Sequence, residues 1–329
     1  MPNLSLSLAM GDYDHTRDLL DGKVGAEGID LTCLRLPVEE IFHRFIRSRE
    51  WDVSEMSLGK TVSFLSQPQP DIVALPVFPS RAFRHSSIYV RADTTIKRPE
   101  NLAGKRVGVP EWAQTASIYT RGLLAHEYGV DLNSIHWYQA GVNDAGRAEK
   151  VELHLPAGIR YTPVPNRSLS DLLVAGELDA VLSARPPMPY ADGTGRVRRL
   201  FEDYRPVELA YWEKTGVFPN MHVVAVKRDT FERNPWIAMN LLEAFEAAKD
   251  RSLRRAVDIT ASFYPLPWIS ELATTSRQLM GADFWPYGIE PNRVTLAAFL
   301  QYASEQGVTP RRLTVEELFP AVVQSRVKV

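Results

Sequence analysis

A single cysteine, Cys33, stands in 329 residues, which excludes an intramolecular disulfide and any multi-cysteine metal cluster and is compatible with a reducing compartment. Long hydrophobic runs are missing as well: nothing approaches the roughly 18 apolar residues of a membrane-spanning helix. Neither sign of charge dominates. With 38 Lys and Arg against 40 Asp and Glu, the formal net charge is -2, so nothing draws the chain to nucleic acid or to an anionic membrane, and the expected ligand is small. There is no phosphate-binding loop and no GxGxxG, which argues against a nucleotide or dinucleotide cofactor. None of the seven histidines forms an i, i+4 pair around a glutamate, so spacing predicts no metal site. The opening MPNLSLSLAMGDYDHT has no Lys or Arg before Arg17, and it lacks the charged start and apolar run of about 7–15 residues that mark an export signal. A cytoplasmic chain is the expectation.

What is present suffices for two lobes, since the length exceeds the roughly 250–300 residues at which one core stops growing. Three strand-then-helix units fill the first part: LSLSLAM at 4–10, GIDLTCLRL before the helix PVEEIFHRFIRS, and WDVSEMSLG before SFL. Leu4, Leu6 and Leu8 alternate as in a half-buried strand. Ile41, Phe42, Phe45 and Ile46 share one helical face, with Pro37 suited to its first turn. SSIYVRA reads as a further strand and DTTIKRPENLAG as the first crossover, after which KRVGVPEW and the helix TASIYTRGLLAHEYGV open a second lobe. In SLSDLLVAGELDAVL, Ser168 caps a helix whose Leu169, Leu172 and Leu173 face inward and which Gly176 ends. FPNMHVVAVKRD supplies a strand at 222–226 that returns to the first lobe, and Asn234 with Pro235 starts a long helix. Thr314 and Glu317 have capping-box spacing. The predicted division is 1–95, 96–217 and 218–329: an α/β protein of two Rossmann-like lobes, like a periplasmic binding protein, with a hinge crossed twice. Trp268 and Trp285 read as lobe core, with a contact between subunits of a homo-oligomer as the alternative.

Ligands of open α/β sheets bind beyond the carboxyl ends of strands, so the candidate residues are those that follow each strand. GDYDHTR places Asp12, Tyr13, Asp14, His15 and Arg17 in one turn, and His15 is the proton-transfer candidate there. DVSEMSLG sets Glu55 and Ser57 on either side of Met56; a carboxylate at the end of a buried strand needs a partner. PVFPSRAFRHSSIYV gathers Arg81, Arg84 and His85 with Phe78 and Phe83 between them, a pattern suited to an anionic aromatic ligand. In the second lobe VPEWAQTAS brings Glu111, Trp112, Gln114, Thr115 and Ser117 to a helix N-terminus, where free N–H groups can hold a carboxylate. SARPP ends a strand at Arg185, and FPNMHVV puts His222 at the returning crossover. A metal held in space by His15, Glu55 and His222 is left open.

The strings EEIFHRF, WDVSEMSLG, PVFPSRAFRHSSIYV, LAGKRVGVPE, RRLFEDYRPVE, FPNMHVVAVKRD, DFWPYGIEPNR and TPRRLTVEELF resemble the 4,5-dihydroxyphthalate decarboxylase family over nearly the whole chain. The resemblance implies the type 2 periplasmic-binding-protein fold and the non-oxidative decarboxylation of 4,5-dihydroxyphthalate to protocatechuate. A carboxy-lyase without an organic cofactor follows, a divalent metal on the catechol oxygens being left open. The chemistry asks for an arginine on the retained carboxylate, an acceptor for the phenols and an acid over the ring carbon. Arg81 and Arg185 are expected on the carboxylate, His85 or His15 on the ring carbon, Glu55 and Ser57 on the hydroxyls, and His222 as the reserve acid. Asp12, Arg17, Arg84, Trp112, Gln114 and Thr115 complete the expected substrate contacts. The competing expectation is a non-catalytic protein that captures an aromatic carboxylate.

Overall fold

A computed structural model describes residues 2–324. The N-terminal alternation becomes β1 (Leu4–Met10), with Leu6 and Leu8 buried; α1 (Asp14–Leu20), β2 (Ile29–Arg35), α2 (Val38–Ser48), β3 (Val53–Ser57), α3 (Leu58–Leu65) and β4 (Ile72–Leu75) follow. A second group comprises β5 (Ile88–Arg91), β6 (Arg106–Val109), α4 (Thr115–Tyr128), β7 (His136–Gly141), β8 (Arg160–Ser168), α5 (Leu169–Val174), β9 (Ala180–Leu182), α6 (Met188–Ala191), β10 (Val197–Arg199) and α7 (Tyr204–Thr215). The chain then returns through β11 (His222–Lys227) to α8 (Arg228–Arg233), α9 (Ile237–Val257), α10 (Ile269–Met280) and α11 (Arg293–Glu305). None of these helices is long and apolar enough to cross a membrane.

Two sheets result, so the predicted α/β architecture of two lobes is the one observed. The first runs in the order β2-β1-β3-β11-β4, with β1 parallel to β2 and β3, and β11 inserted antiparallel between β3 and β4. The second has the order β10-β5-β9-β6-β7-β8, parallel from β9 to β8 and antiparallel at β5 and β10. Pro163 and Pro165 lie in β8, at the sheet edge, where a residue without an N–H is tolerated.

Strand β5 corrects the expected first boundary. It pairs with β9 and β10, so the first crossing lies before Ile88 and the polar stretch after it merely joins β5 to β6. An apolar run such as Ile88–Arg91 satisfies either sheet, and only its partners decide. The two crossings run side by side: Met221 N–H donates to Ser80 O at 2.8 Å, Ala82 N–H to Pro219 O at 3.2 Å, and Arg81 bridges Asn220.

The lobes also meet away from the hinge. At Gly59 a Cβ would sit 2.6 Å from Ala113 O, so glycine is what lets α3 approach the loop before α4. From the C-terminal part, Tyr302 of α11 covers Gly122 of α4, and Gln306 accepts from Trp112 Nε1 (2.7 Å) and Arg121 Nε (2.8 Å). Trp285 packs inside the hinge, donating to Phe78 O at 3.2 Å, whereas Trp268 is 75% exposed and is not lobe core.

Candidate active site

Register builds the centre of the site. In the β3/β11 ladder Ser57 faces His222 and Glu55 faces Val224, so Glu55, Ser57 and His222 share one face while Met56 points into the core, fully buried. The diagonal brings His222 Nδ1 to 2.6 Å from Glu55 Oε1. Tyr13 OH donates to the same oxygen at 2.6 Å, and Gly11 N–H donates to Oε2 at 2.8 Å. Gly11 is needed there, because a Cβ would meet the Tyr13 ring at 2.8 Å.

Burial by itself raises the Glu55 carboxyl, but the hydrogen bond and charge of His222, with Tyr13 and Gly11, more than offset it and hold the group below its ordinary value. Tyr13 is pushed upward, first by burial and then by Glu55. With Nδ1 engaged, His222 turns its second nitrogen, Nε2, away from the carboxylate. The side chain is 19% exposed where Glu55 is 0%, it lines the cleft, and the Phe42 ring meets it edge-on at 4.9 Å. A carboxylate that fixes one imidazole nitrogen leaves the other to carry a proton to or from a ligand.

The cleft encloses about 280 Å³ between the sheets. Five cations line it (Lys60, Arg84, Arg147, Lys150 and Arg185) against two carboxylates, Glu39 and Glu111. In a chain of net charge -2 this is a local concentration of positive charge. Helices α2, α3 and α4 all begin at its wall, none with a side-chain cap, so their positive ends add to it. Lys60 of the first lobe reaches Glu111 of the second at 2.8 Å and also pairs with Glu149. Arg147 Nε reaches Glu111 at 2.7 Å and Lys150 Nζ at 3.4 Å. Burial raises the Glu111 carboxyl, and Lys60, Arg147 and Lys150 overcome it and keep it low.

Arg84 differs from these. Its Nε approaches Met221 Sδ at 3.1 Å and one terminal nitrogen Ser87 Oγ at 3.4 Å; among the described residues no carboxylate forms an ion pair with it. Burial lowers it to about 10, so the guanidinium stays charged and open to an anion. Beside it, Ser57 Oγ and Thr115 Oγ1 are 2.9 Å apart, and Gln114 lines the wall.

Of the expected residues, His222, Ser57, Arg84, Gln114, Thr115 and Arg185 line the cleft, and Glu55 stands behind His222. Others lie elsewhere. His85 is 1% exposed in an aromatic cage of Tyr128, Phe201 and Tyr211, and burial lowers it to about 4. His15 stacks near Trp285 and Tyr13 with its Nε2 buried and unpaired, and burial, partly offset by Glu55, lowers it to about 4 as well. Both are neutral near pH 7 and neither lines the cleft, so both leave the set of candidate acids. Arg81 pins the hinge, donating to Phe218 O at 3.4 Å and to Pro286 O and Asn292 Oδ1, among the rings of Phe78, Phe218 and Trp285. Trp112 is fully buried beneath Arg121, whose guanidinium lies 3.7 Å from its ring. Asp12 and Arg17 pair with each other at 3.4 Å on the surface. Among the described residues no three potential ligands gather as a metal site, so the grouping of His15 with Glu55 and His222 is not formed.

Lys60, Glu39 and Arg147 were not foreseen. Lys60 and Glu39 sit in the first turns of helices that follow predicted strand ends, a position that does carry a signal. Arg147 comes from the irregular segment between β7 and β8, which has no periodicity to read.

No protein-family profile matches the chain. It is 40% identical over 327 residues to 4,5-dihydroxyphthalate decarboxylase of Comamonas testosteroni, covering 99% of both chains. With the Pseudomonas putida protein of the same name the identity is 39% over 204 residues, 62% of this chain and 79% of that one. Among solved structures it resembles a periplasmic sulfonate-binding protein from Methylobacillus flagellatus (TM-score 0.55, 15% identity, covering 97% of this chain and 92% of that one). A similar likeness holds for the aliphatic sulphonate binding protein of Escherichia coli (TM-score 0.52, 14% identity, 100% and 95%). At that identity the likeness concerns the fold.

Proposed function

The chain belongs to the 4,5-dihydroxyphthalate decarboxylase family, and from that premise we propose that it removes one carboxylate from 4,5-dihydroxyphthalate without oxidation, yielding protocatechuate and CO2. Each ring hydroxyl of this substrate lies para to one carboxylate. Ionising that hydroxyl pushes electron density onto the carbon that bears the leaving group, and a proton then bonds to the same carbon. The carbon–carbon bond breaks, its electron pair restores the aromatic ring, and CO2 departs. One proton is consumed for each carboxylate lost.

Arg84 takes the retained carboxylate, because it is a half-buried cation in the cleft wall to which no carboxylate among the described residues comes within ion-pair distance, Glu208 acting on it only from farther off. Ser57 at the end of β3, with Gln114 and Thr115 at the uncapped start of α4, receives the hydroxyls and stabilises the phenolate. His222 delivers the proton from Nε2, and Glu55 is its positioning residue, with Tyr13 and Gly11 fixing the carboxylate in turn. The scheme uses no organic cofactor and routes no step through a metal. What supports the reading is that His222 is the histidine lining the cleft and that its other nitrogen is held by a fully buried carboxylate.

The test is to incubate the purified protein with 4,5-dihydroxyphthalate and to follow CO2 and protocatechuate together. Equal amounts of both over many turnovers are expected. Tight binding without turnover would favour a ligand-capturing protein instead, and neither binding nor turnover would reject the substrate.

A further inference from the structure

Glu39, in the first turn of α2, reaches across the mouth of the cleft to two arginines of the opposite lobe. One carboxylate oxygen lies 3.1 Å from Arg185 and the other 3.5 Å from Arg147. Arg147 is steadied from behind by Glu111 at 2.7 Å, while Glu39 is the ion-pair partner found for Arg185 among the described residues. All three side chains line both the 280 Å³ cleft and an adjoining outer cavity of about 410 Å³, so the Glu39 bridge stands between the two. A carboxylate shared by two guanidinium groups is the arrangement a ligand carboxylate would adopt there.

Building on the dicarboxylate reading above, we propose that Glu39 is a built-in competitor for the second carboxylate of the substrate. It occupies Arg147 and Arg185 in the empty cleft, yields them to the second carboxylate of an ortho-dicarboxylate, and takes them back once that group has left as CO2. The energetics allow the exchange. Glu39 and Arg185 are 47% and 67% exposed, and ion pairs so open to water are weak, whereas a carboxylate tethered through its ring to Arg84 arrives at high effective concentration. Once one carboxylate has gone, the product no longer contends for these arginines and Glu39 re-forms its bridge, so Glu39 keeps the cleft from holding the dicarboxylate too tightly and leaves the affinity for the monocarboxylate unchanged.

The experiment compares titrations of the wild-type protein, Glu39→Gln and Arg185→Gln with phthalate, which has both carboxylates, and with protocatechuate, which has one. Glu39→Gln is expected to bind phthalate about fivefold more tightly, the equivalent of one exposed ion pair no longer to be broken, with protocatechuate unchanged. Arg185→Gln should weaken phthalate alone and should abolish the gain from Glu39→Gln in the double variant. Equal shifts for both ligands, no shift, or weaker phthalate binding by Glu39→Gln would each overturn the proposal and make Glu39 a latch between lobes. Conversion of 4,5-dihydroxyphthalate by the wild type, measured first, separates the two failures: its absence removes the decarboxylase reading, and its presence with unchanged selectivity removes only the role of Glu39.

Discussion

Two carboxylates lie almost out of water at the cleft, Glu111 of the second lobe in its wall and Glu55 of the first behind His222, and opposite means keep them ionised. Glu55 (0% exposed) relies on one imidazole, a phenol and a backbone N–H, whereas Glu111 (2% exposed) is surrounded by Lys60, Arg147 and Lys150. Glu55 is met by a single imidazole, Glu111 by three cationic side chains. The first arrangement suits proton transfer, and the second suits holding two lobes together around an anion.

Removing each carboxylate should separate the two roles. Glu111→Gln leaves Lys60, Arg147 and Lys150 close together without the carboxylate they share, so urea unfolding should show a loss of about 3 kcal/mol, with kcat changed less than about tenfold by the same logic of a structural role. Glu55→Gln keeps an uncharged side chain of the same size beside His222, Tyr13 and Gly11 and strands no cluster of cations, so less stability is lost. Its cost should appear in kcat instead, about 100-fold down, the lower range for acid–base catalysis, with substrate affinity largely kept.

A smaller effect contrasts His222 with the histidines excluded from the cleft. His15 and His85 fall from an ordinary 6.5 to about 4 through burial. The unfolded chain therefore binds more protons below pH 6.5, and the stability contributed by neutral imidazole is lost as pH falls toward 4. Between pH 7 and pH 5 each should cost about 2 kcal/mol. Unfolding of His85→Gln at both pH values should show its share gone; an undiminished pH dependence would contradict the burial account.

The smallest effect concerns the contact between lobes. At Gly59→Ala the new methyl group meets a backbone oxygen, so overpacking should outweigh the gain in helix propensity by about 1 kcal/mol and raise KM.

Much of this was legible in the sequence. Alternation in WDVSEMSLG put Glu55 and Ser57 on one face, and the apolar strand after His222 announced the return of the chain. Ser168 caps its helix through Asp171 N–H, and Thr314 with Glu317 forms the expected box. Choosing among histidines was beyond local pattern. His15 and His85 lie in segments dense with charge, yet aromatic rings from α7 and from residues 285–287 enclose them. Those rings are distant in sequence from the histidines they bury. Arg81 and Arg84 are three residues apart and look alike; the hinge carbonyls engage the first, whereas the second meets Met221 Sδ and Ser87 Oγ in the cleft wall. The family resemblance supplied the reaction, and the β3/β11 register indicated which histidine can serve it.

The central claim is that His222, held by Glu55, gives the proton to the ring carbon. It is tested most directly by His222→Gln, with turnover of 4,5-dihydroxyphthalate and substrate affinity measured side by side against the wild type. The account predicts affinity within about threefold and kcat lower by about 1,000-fold, within the range for loss of a general acid. A variant that still releases CO2 and protocatechuate at a rate near that of the wild type would contradict it.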